Sequence, residues 1–232
     1  MRLILKMKAE KFMPYSQVNR HTVQGFLYSL LQDTEFSELH NRKGFKFFTY
    51  SNIFPINDFF PDKEKTLIVS SPSKKLIEAF YEGLKDKNHI YLSDTPLKIV
   101  EVKIFSIKPT GKFITATPIV VQKKPGVYLS FEQGDTVELF LERIKENAIK
   151  KYNAFYNDEL SLEEELFDLL KFHKEVAMIL KKDDKEFTVI GSLWSLLQKR
   201  IPKGYIKFYR FILDCGLGEK NSLGFGFLNV IK

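Results

Sequence analysis

A chain of 232 residues with 44% apolar side chains, 22 of them phenylalanine, has enough hydrophobic material for one large core or two smaller ones. Its net charge of +7 favours polyanionic partners, and its single cysteine, Cys215, excludes an internal disulfide framework and a cysteine-built zinc site. The N-terminal apolar run is too short for a signal peptide and no stretch approaches the ~20 apolar residues of a membrane span, so the expectation is a cytoplasmic protein without membrane contact. Residues 2–8 alternate apolar and basic side chains like a strand, and residues 19–32 carry Val23, Phe26, Leu27, Leu30 and Leu31 at helical spacing. Residues 45–50 and 66–70 read as strands, 73–84 as a helix with Leu76, Ile77, Phe80 and Leu84 on one face, and 90–92 and 97–107 as strands. The resulting β-α-β-β-α-β order is that of a ferredoxin-like unit.

Pro109-Thr110-Gly111 interrupts the pattern and marks a boundary, giving domains over 1–109 and 112–232. In the second half, 113–122 is strand-like, 135–152 is helical with Val137, Phe140, Leu141, Ile144 and Ala148 aligned, and 160–170 reads as a further short helix. Residues 172–180 and 186–197 read as strands, although 192–198 suits a helix equally well; 205–215 is an apolar helix and 225–231 a last strand. The expected fold class is α+β, two tandem ferredoxin-like (RRM-like) domains.

The densest backbone signal lies at 216–226, where Gly216-Leu217-Gly218 and Gly224-Phe225-Gly226 bracket five mostly polar residues. No Gly-Lys-Ser/Thr leads into a helix, as a P-loop requires. Asn221 stands where a dinucleotide fingerprint needs its third glycine, and too few residues follow for a βαβ unit. What remains is a loop between the last helix and the last strand, its amides facing outward, with Lys220, Asn221 and Ser222 supplying a cation and polar groups suited to phosphate and ribose oxygens. A plain helix C-cap followed by a tight turn accounts for the same spacing. Lys199, Arg200, Lys203, Lys207 and Arg210 add basic charge nearby in sequence, which more often marks a solvated face than a site.

This glycine ending, the tandem order, the stretch Gln24-Gly25-Phe26-Leu27-Tyr28 and the stretch Leu39-His40-Asn41-Arg42-Lys43-Gly44-Phe45-Lys46-Phe47-Phe48-Thr49-Tyr50-Ser51 together resemble the CRISPR-associated endoribonucleases that process precursor CRISPR RNA. The resemblance spans nearly the whole chain and is most specific in the glycine loop and the histidine-containing loop. It implies metal-independent cleavage within CRISPR repeat RNA, leaving 2′,3′-cyclic phosphate and 5′-hydroxyl ends, with no cofactor. It further implies that Tyr28, His40 and Lys46 are the catalytic residues, and that Gly216, Gly218, Lys220, Asn221, Ser222, Gly224 and Gly226 form a loop that contacts RNA. Hand-over of the product to a CRISPR interference complex and pairing of the chain into a homodimer stay open.

The residue chemistry is compatible with this. Tyr28 lies about 130° around a helical wheel from the centre of its helix's apolar face. His40 sits in the polar segment 38–42, and alternation places Lys46 on the sheet face opposite Phe45 and Phe47. Attack of a ribose 2′-OH on its own phosphate needs a base, an acid for the departing 5′-oxygen, and positive charge for the phosphorane. An ordinary histidine, with a pKa near 6.5, is the easier base; a tyrosine, near 10, is ionised about once in a thousand at pH 7. The family's usual assignment, tyrosine as base and histidine as acid, therefore requires a neighbour such as Lys46 to depress the tyrosine pKa. Which of the two plays which part stays open. His21, His89 and His173 are scattered and predict no metal site, and Glu163-Glu164-Glu165 reads as charge complementing a helix start. Two other functions fit the chain: a non-catalytic RNA-binding relative of the same fold, and a protein-interaction module using exposed aromatics such as Phe59-Phe60.

Overall fold

The structure, a computed structural model, describes residues 1–92, 94–182 and 185–231. It divides into two compact units, Met1–Ile107 with Ser222–Gly224, and Lys108–Asn221 with Phe225–Lys232. The expected boundary thus falls next to an observed one, but the assignment of a three-residue piece of the glycine loop to the first unit has no counterpart in the sequence pattern. Among the described residues no helix is long and apolar enough to cross a membrane.

In the first unit, β1 (Arg2–Ala9) leads to α1 (Arg20–Ser29), then β2 (Thr49–Tyr50), β3 (Glu64–Ser70), α2 (Lys74–Lys85), β4 (His89–Leu92) and β5 (Thr95–Phe105). The antiparallel sheet order is β2-β3-β1-β5-β4, a ferredoxin-like arrangement with a hairpin strand added at one edge. Period-two alternation in β1 sends Leu3, Leu5, Met7 and Ala9 into the core. There they meet Val23, Phe26 and Leu27 of α1 and Leu76, Ile77, Phe80 and Leu84 of α2. Asn19 and Ser73 cap these helices, accepting from the amides of Thr22 and Leu76.

The strand expected over 45–50 is cut to Thr49–Tyr50, because Phe47 adopts a left-handed φ of 54° and turns the chain. Phe48 is fully buried beyond that turn, edge-on to Tyr28 and Phe80 with ring centroids 5.9 and 5.8 Å away. Phe59 is likewise a core residue, stacked on Tyr15 at 6.0 Å, so of the Phe59-Phe60 pair only Phe60 is exposed.

The second unit runs β6 (Lys112–Thr115), a hairpin of β7 (Gln122–Lys124) and β8 (Val127–Tyr128), α3 (Val137–Tyr156), β9 (Leu169–Lys182), β10 (Lys185–Gln198), α4 (Ile206–Cys215) and β11 (Leu228–Val230). Its four-stranded sheet has the order β11-β6-β10-β9, again ferredoxin-like. The stretch 192–198 is strand, paired along β9 with register shifts on either side of the buried Trp194.

No helix forms over 160–168, contrary to the apolar spacing. Leu162, Leu166 and Phe167 are buried as expected, yet the backbone is held irregular by longer-range bonds. Asn153 donates to the Leu160 carbonyl and accepts from its amide, and the Tyr209 hydroxyl donates to the Leu166 carbonyl. The Glu163–Glu165 run therefore caps no helix; Glu164 instead pairs with Lys199 at 2.9 Å, which Asp168 also holds at 2.7 Å. Lys199 is buried in that pairing and does not belong to an open basic surface.

Asp135, bonded to Lys123 and the Ser130 amide, and Asp168, bonded to Lys199 and the Arg200 amide, both sit below the ordinary aspartate value of 3.8. The unfolded chain takes up these protons first, so their contribution to stability is present above that value and is lost as pH falls through the depressed folded pKa. The thermal midpoint is expected to drop on acidification below about pH 4, and less steeply in Asp168→Asn. An acid limb unchanged by the substitution would show the Asp168 bonds to be inert.

Candidate active site

Tyr28 is in the last turn of α1, half-buried, with its ring against the core of the first unit. Past the helix a short 3₁₀ turn, Ser37–Leu39, buries Leu39 and leaves His40 exposed next to it. The Tyr28 and His40 rings meet edge to face, centroids 4.8 Å apart. The segment after His40 folds back, so that the Lys46 ammonium donates to the carbonyls of Leu39 at 2.6 Å, His40 at 3.0 Å, and Arg42. Tyr28, His40 and Lys46 are therefore brought together.

Lys46 reaches this place by a different route from strand alternation: residues 45–48 are not strand, and the lysine is aimed by the turn at Phe47. An ammonium has three N–H donors, and three carbonyls of the histidine loop accept from it. Lys46 thus closes the loop that presents His40. Burial and the Arg42 guanidinium pull its pKa below the ordinary lysine value. Burial also holds the Tyr28 hydroxyl above the ordinary tyrosine value, outweighing the opposite pull of a hydrogen bond with the Ser222 side chain. The depressed tyrosine needed for a tyrosine base is not what this arrangement produces.

Ser222 lies in the same compact unit as Tyr28, held there by bonds from α1 to residues 222–224. Gln24, one turn before Tyr28 on α1, donates to the Ser222 carbonyl at 2.9 Å, and Arg20 donates to the carbonyls of Leu223 at 3.2 Å and Gly224 at 2.8 Å. Tyr50 completes the grip: its hydroxyl donates to the Arg20 carbonyl at 2.7 Å while its ring lies where a β-carbon on Gly224 would have to go. Arg20 gave no functional signal in the sequence. Gln24 and Tyr50 did, as members of the two stretches that contain Tyr28 and His40.

The rest of the glycine loop lies in the second unit and is largely turned inward, which corrects the outward-facing amides expected for it. The amides of Gly216, Leu217, Glu219 and Gly226 donate to the carbonyls of Ile212, Gly226, Val120 and Pro118. Lys151, buried on α3, donates to the carbonyls of Gly216 at 2.7 Å and Gly218 at 3.0 Å and to the Asn221 side-chain oxygen at 2.9 Å. Asn221 spends its amide nitrogen on the Leu217 and Phe225 carbonyls, so its side chain serves the loop. Lys220 remains half-exposed at a left-handed φ of 55°, its ammonium 5.8 Å from the centre of the Tyr128 ring.

Comparison with known proteins accords with this architecture. The model of the family described as CRISPR associated protein Cas6, C-terminal, matches residues 101–230. A CRISPR-associated endoribonuclease Cas6 2 of Methanocaldococcus jannaschii is 44% identical over 241 residues, covering 100% of both chains. Among solved structures, one from a Cas6-related gene of Pyrococcus furiosus superposes with a TM-score of 0.76 at 21% identity, covering 100% of this chain and 98% of that one. Another, described as a RAMP protein binding different RNA substrates, has a TM-score of 0.75 at 20% identity over 100% of both. These two structural likenesses speak to the fold alone. The family match over more than half the chain, together with a relative of 44% identity along its entire length, places this chain in the Cas6 family of CRISPR-associated endoribonucleases.

Proposed function

We propose that the protein cleaves precursor CRISPR RNA within its repeats, by attack of a ribose 2′-OH on the adjacent phosphate and without a metal ion. The observation that carries this reading is the meeting of Tyr28 and His40, rings 4.8 Å apart, on a loop closed by Lys46. His40 takes the 2′-OH proton as the 2′-oxygen bonds to phosphorus. The bond from phosphorus to the 5′-oxygen breaks, and neutral Tyr28 protonates the departing oxygen. The raised tyrosine pKa favours this division of labour, since a hydroxyl that keeps its proton is a donor and not a base. Lys46 contributes its positive charge from within the loop, and Lys220 is a phosphate partner at the edge of the glycine loop.

Incubation with cognate repeat RNA in EDTA is the direct test. Products with 2′,3′-cyclic phosphate and 5′-hydroxyl ends are expected, together with no cleavage of RNA carrying a 2′-deoxy at the scissile position. Binding of intact repeat RNA without cleavage in EDTA would reject the metal-free reaction.

A further inference from the structure

The neighbours of His40 define which of its ring nitrogens carries the proton. His40 Nδ1 lies 3.3 Å from Asn41 Oδ1, and Asn41 Nδ2 donates to Glu38 Oε2 at 3.1 Å. The carboxylate of Glu38 can only accept, so the nitrogen end of the Asn41 amide must face it and the oxygen end is left for the imidazole. An amide oxygen also only accepts, so Nδ1 must be the donor. In water a neutral imidazole prefers its proton on Nε2; the Glu38–Asn41 pair reverses that preference.

We infer that Asn41, oriented by Glu38, is a positioning residue that holds His40 with its proton on Nδ1 and the lone pair on Nε2. The inference rests on His40 acting as base, because a base needs a free lone pair when the 2′-OH arrives. It adds to the site a pair of residues that act through the His40 ring. Lys46 fixes the backbone of the same loop through the Leu39 and His40 carbonyls, while Asn41 fixes the ring, so the two act on different degrees of freedom. Without Asn41 the ring is free to rotate and its proton to return to Nε2, where it blocks the lone pair the reaction uses.

The test combines a spectrum with a rate. In protein labelled with ¹⁵N-histidine at a pH where imidazoles are neutral, His40 is assigned by the signal that disappears in His40→Ala. His89 serves as an internal reference of the opposite tautomer, since its Nε2 donates to Glu10 Oε1 at 2.7 Å. Wild-type His40 is expected to show a protonated Nδ1. Asn41→Ala is expected to move the proton toward Nε2 and to slow single-turnover cleavage about 10- to 100-fold with RNA affinity unchanged. Asn41→Asp combined with Glu38→Gln, which keeps an acceptor beside Nδ1 and supplies an amide donor in place of the opposing carboxylate, is expected to restore both. A wild-type spectrum with the proton on Nε2, or an Asn41→Ala protein with unchanged spectrum and rate, overturns the inference. A changed tautomer with wild-type cleavage would leave the hydrogen-bond chain standing but remove His40 as the base, and the positioning role would fall with it.

Discussion

Replacing His40 by alanine is expected to slow single-turnover cleavage of repeat RNA by about 10²- to 10⁴-fold, the usual worth of a proton-transferring side chain, while RNA affinity stays near that of the wild type. The two effects separate because of how the loop is held. Lys46 donates to main-chain carbonyls, including that of residue 40 itself, and an alanine keeps that carbonyl. The imidazole is exposed, so its removal opens no cavity in the core. Cleavage measured under single-turnover conditions beside fluorescence anisotropy of the same RNA checks both halves. An alanine variant that cleaves at the wild-type rate would remove His40 from the mechanism. A variant that has lost RNA affinity as well as cleavage would make His40 a binding residue.

The second large effect concerns the glycine loop and stability. Gly226→Ala is expected to destabilise the second unit by about 2–5 kcal/mol, combining a left-handed φ on a residue with a β-carbon and an overpacked site. Gly226 has a φ of 67°, and a β-carbon there would overlap the Leu217 carbonyl oxygen and lie 2.9 Å from Asn221 Nδ2. Those groups have little room to give way. The Leu217 amide is bonded to the Gly226 carbonyl, the Gly226 amide to the Pro118 carbonyl, and Asn221 is held by Lys151. Relief of the clash therefore breaks a network whose buried cation depends on its three oxygen partners. The thermal midpoint should fall by roughly 4–20 °C. Gly204→Ala is the control: a β-carbon there meets nothing within 4 Å, and its midpoint should stay close to wild type. Equal midpoints for the two variants would show that the loop tolerates a side chain and does not brace this unit.

What the sequence determined by itself was the order of elements and the identity of the residues with chemistry to offer. Alternation in residues 2–8 and the helical spacing of Leu76, Ile77, Phe80 and Leu84 were legible because one face of each element is buried and the other is not. Where long-range bonds overrode local preference, the pattern misled. Residues 160–168 have helical apolar spacing but follow Asn153 and Tyr209, and Phe47 breaks a strand that alternation continues through.

The candidate site divides along the same line. Tyr28, His40 and Lys46 stood out in the sequence through the stretches that contain them, but their roles depended on contacts that residue spacing does not encode. Lys46 closes the histidine loop with all three of its donors, Tyr28 is desolvated and bonded to Ser222, and the glycine loop commits four of its amides to carbonyls of its own unit and the Asn221 side-chain amide to carbonyls of the loop. Each of these is a matter of which hydrogen-bonding group is already satisfied and which charge has left water. Hydrogen-bond partners 30 or more residues away in sequence hold Tyr28, Arg20 and Lys151, and only the folded chain brings those partners into reach.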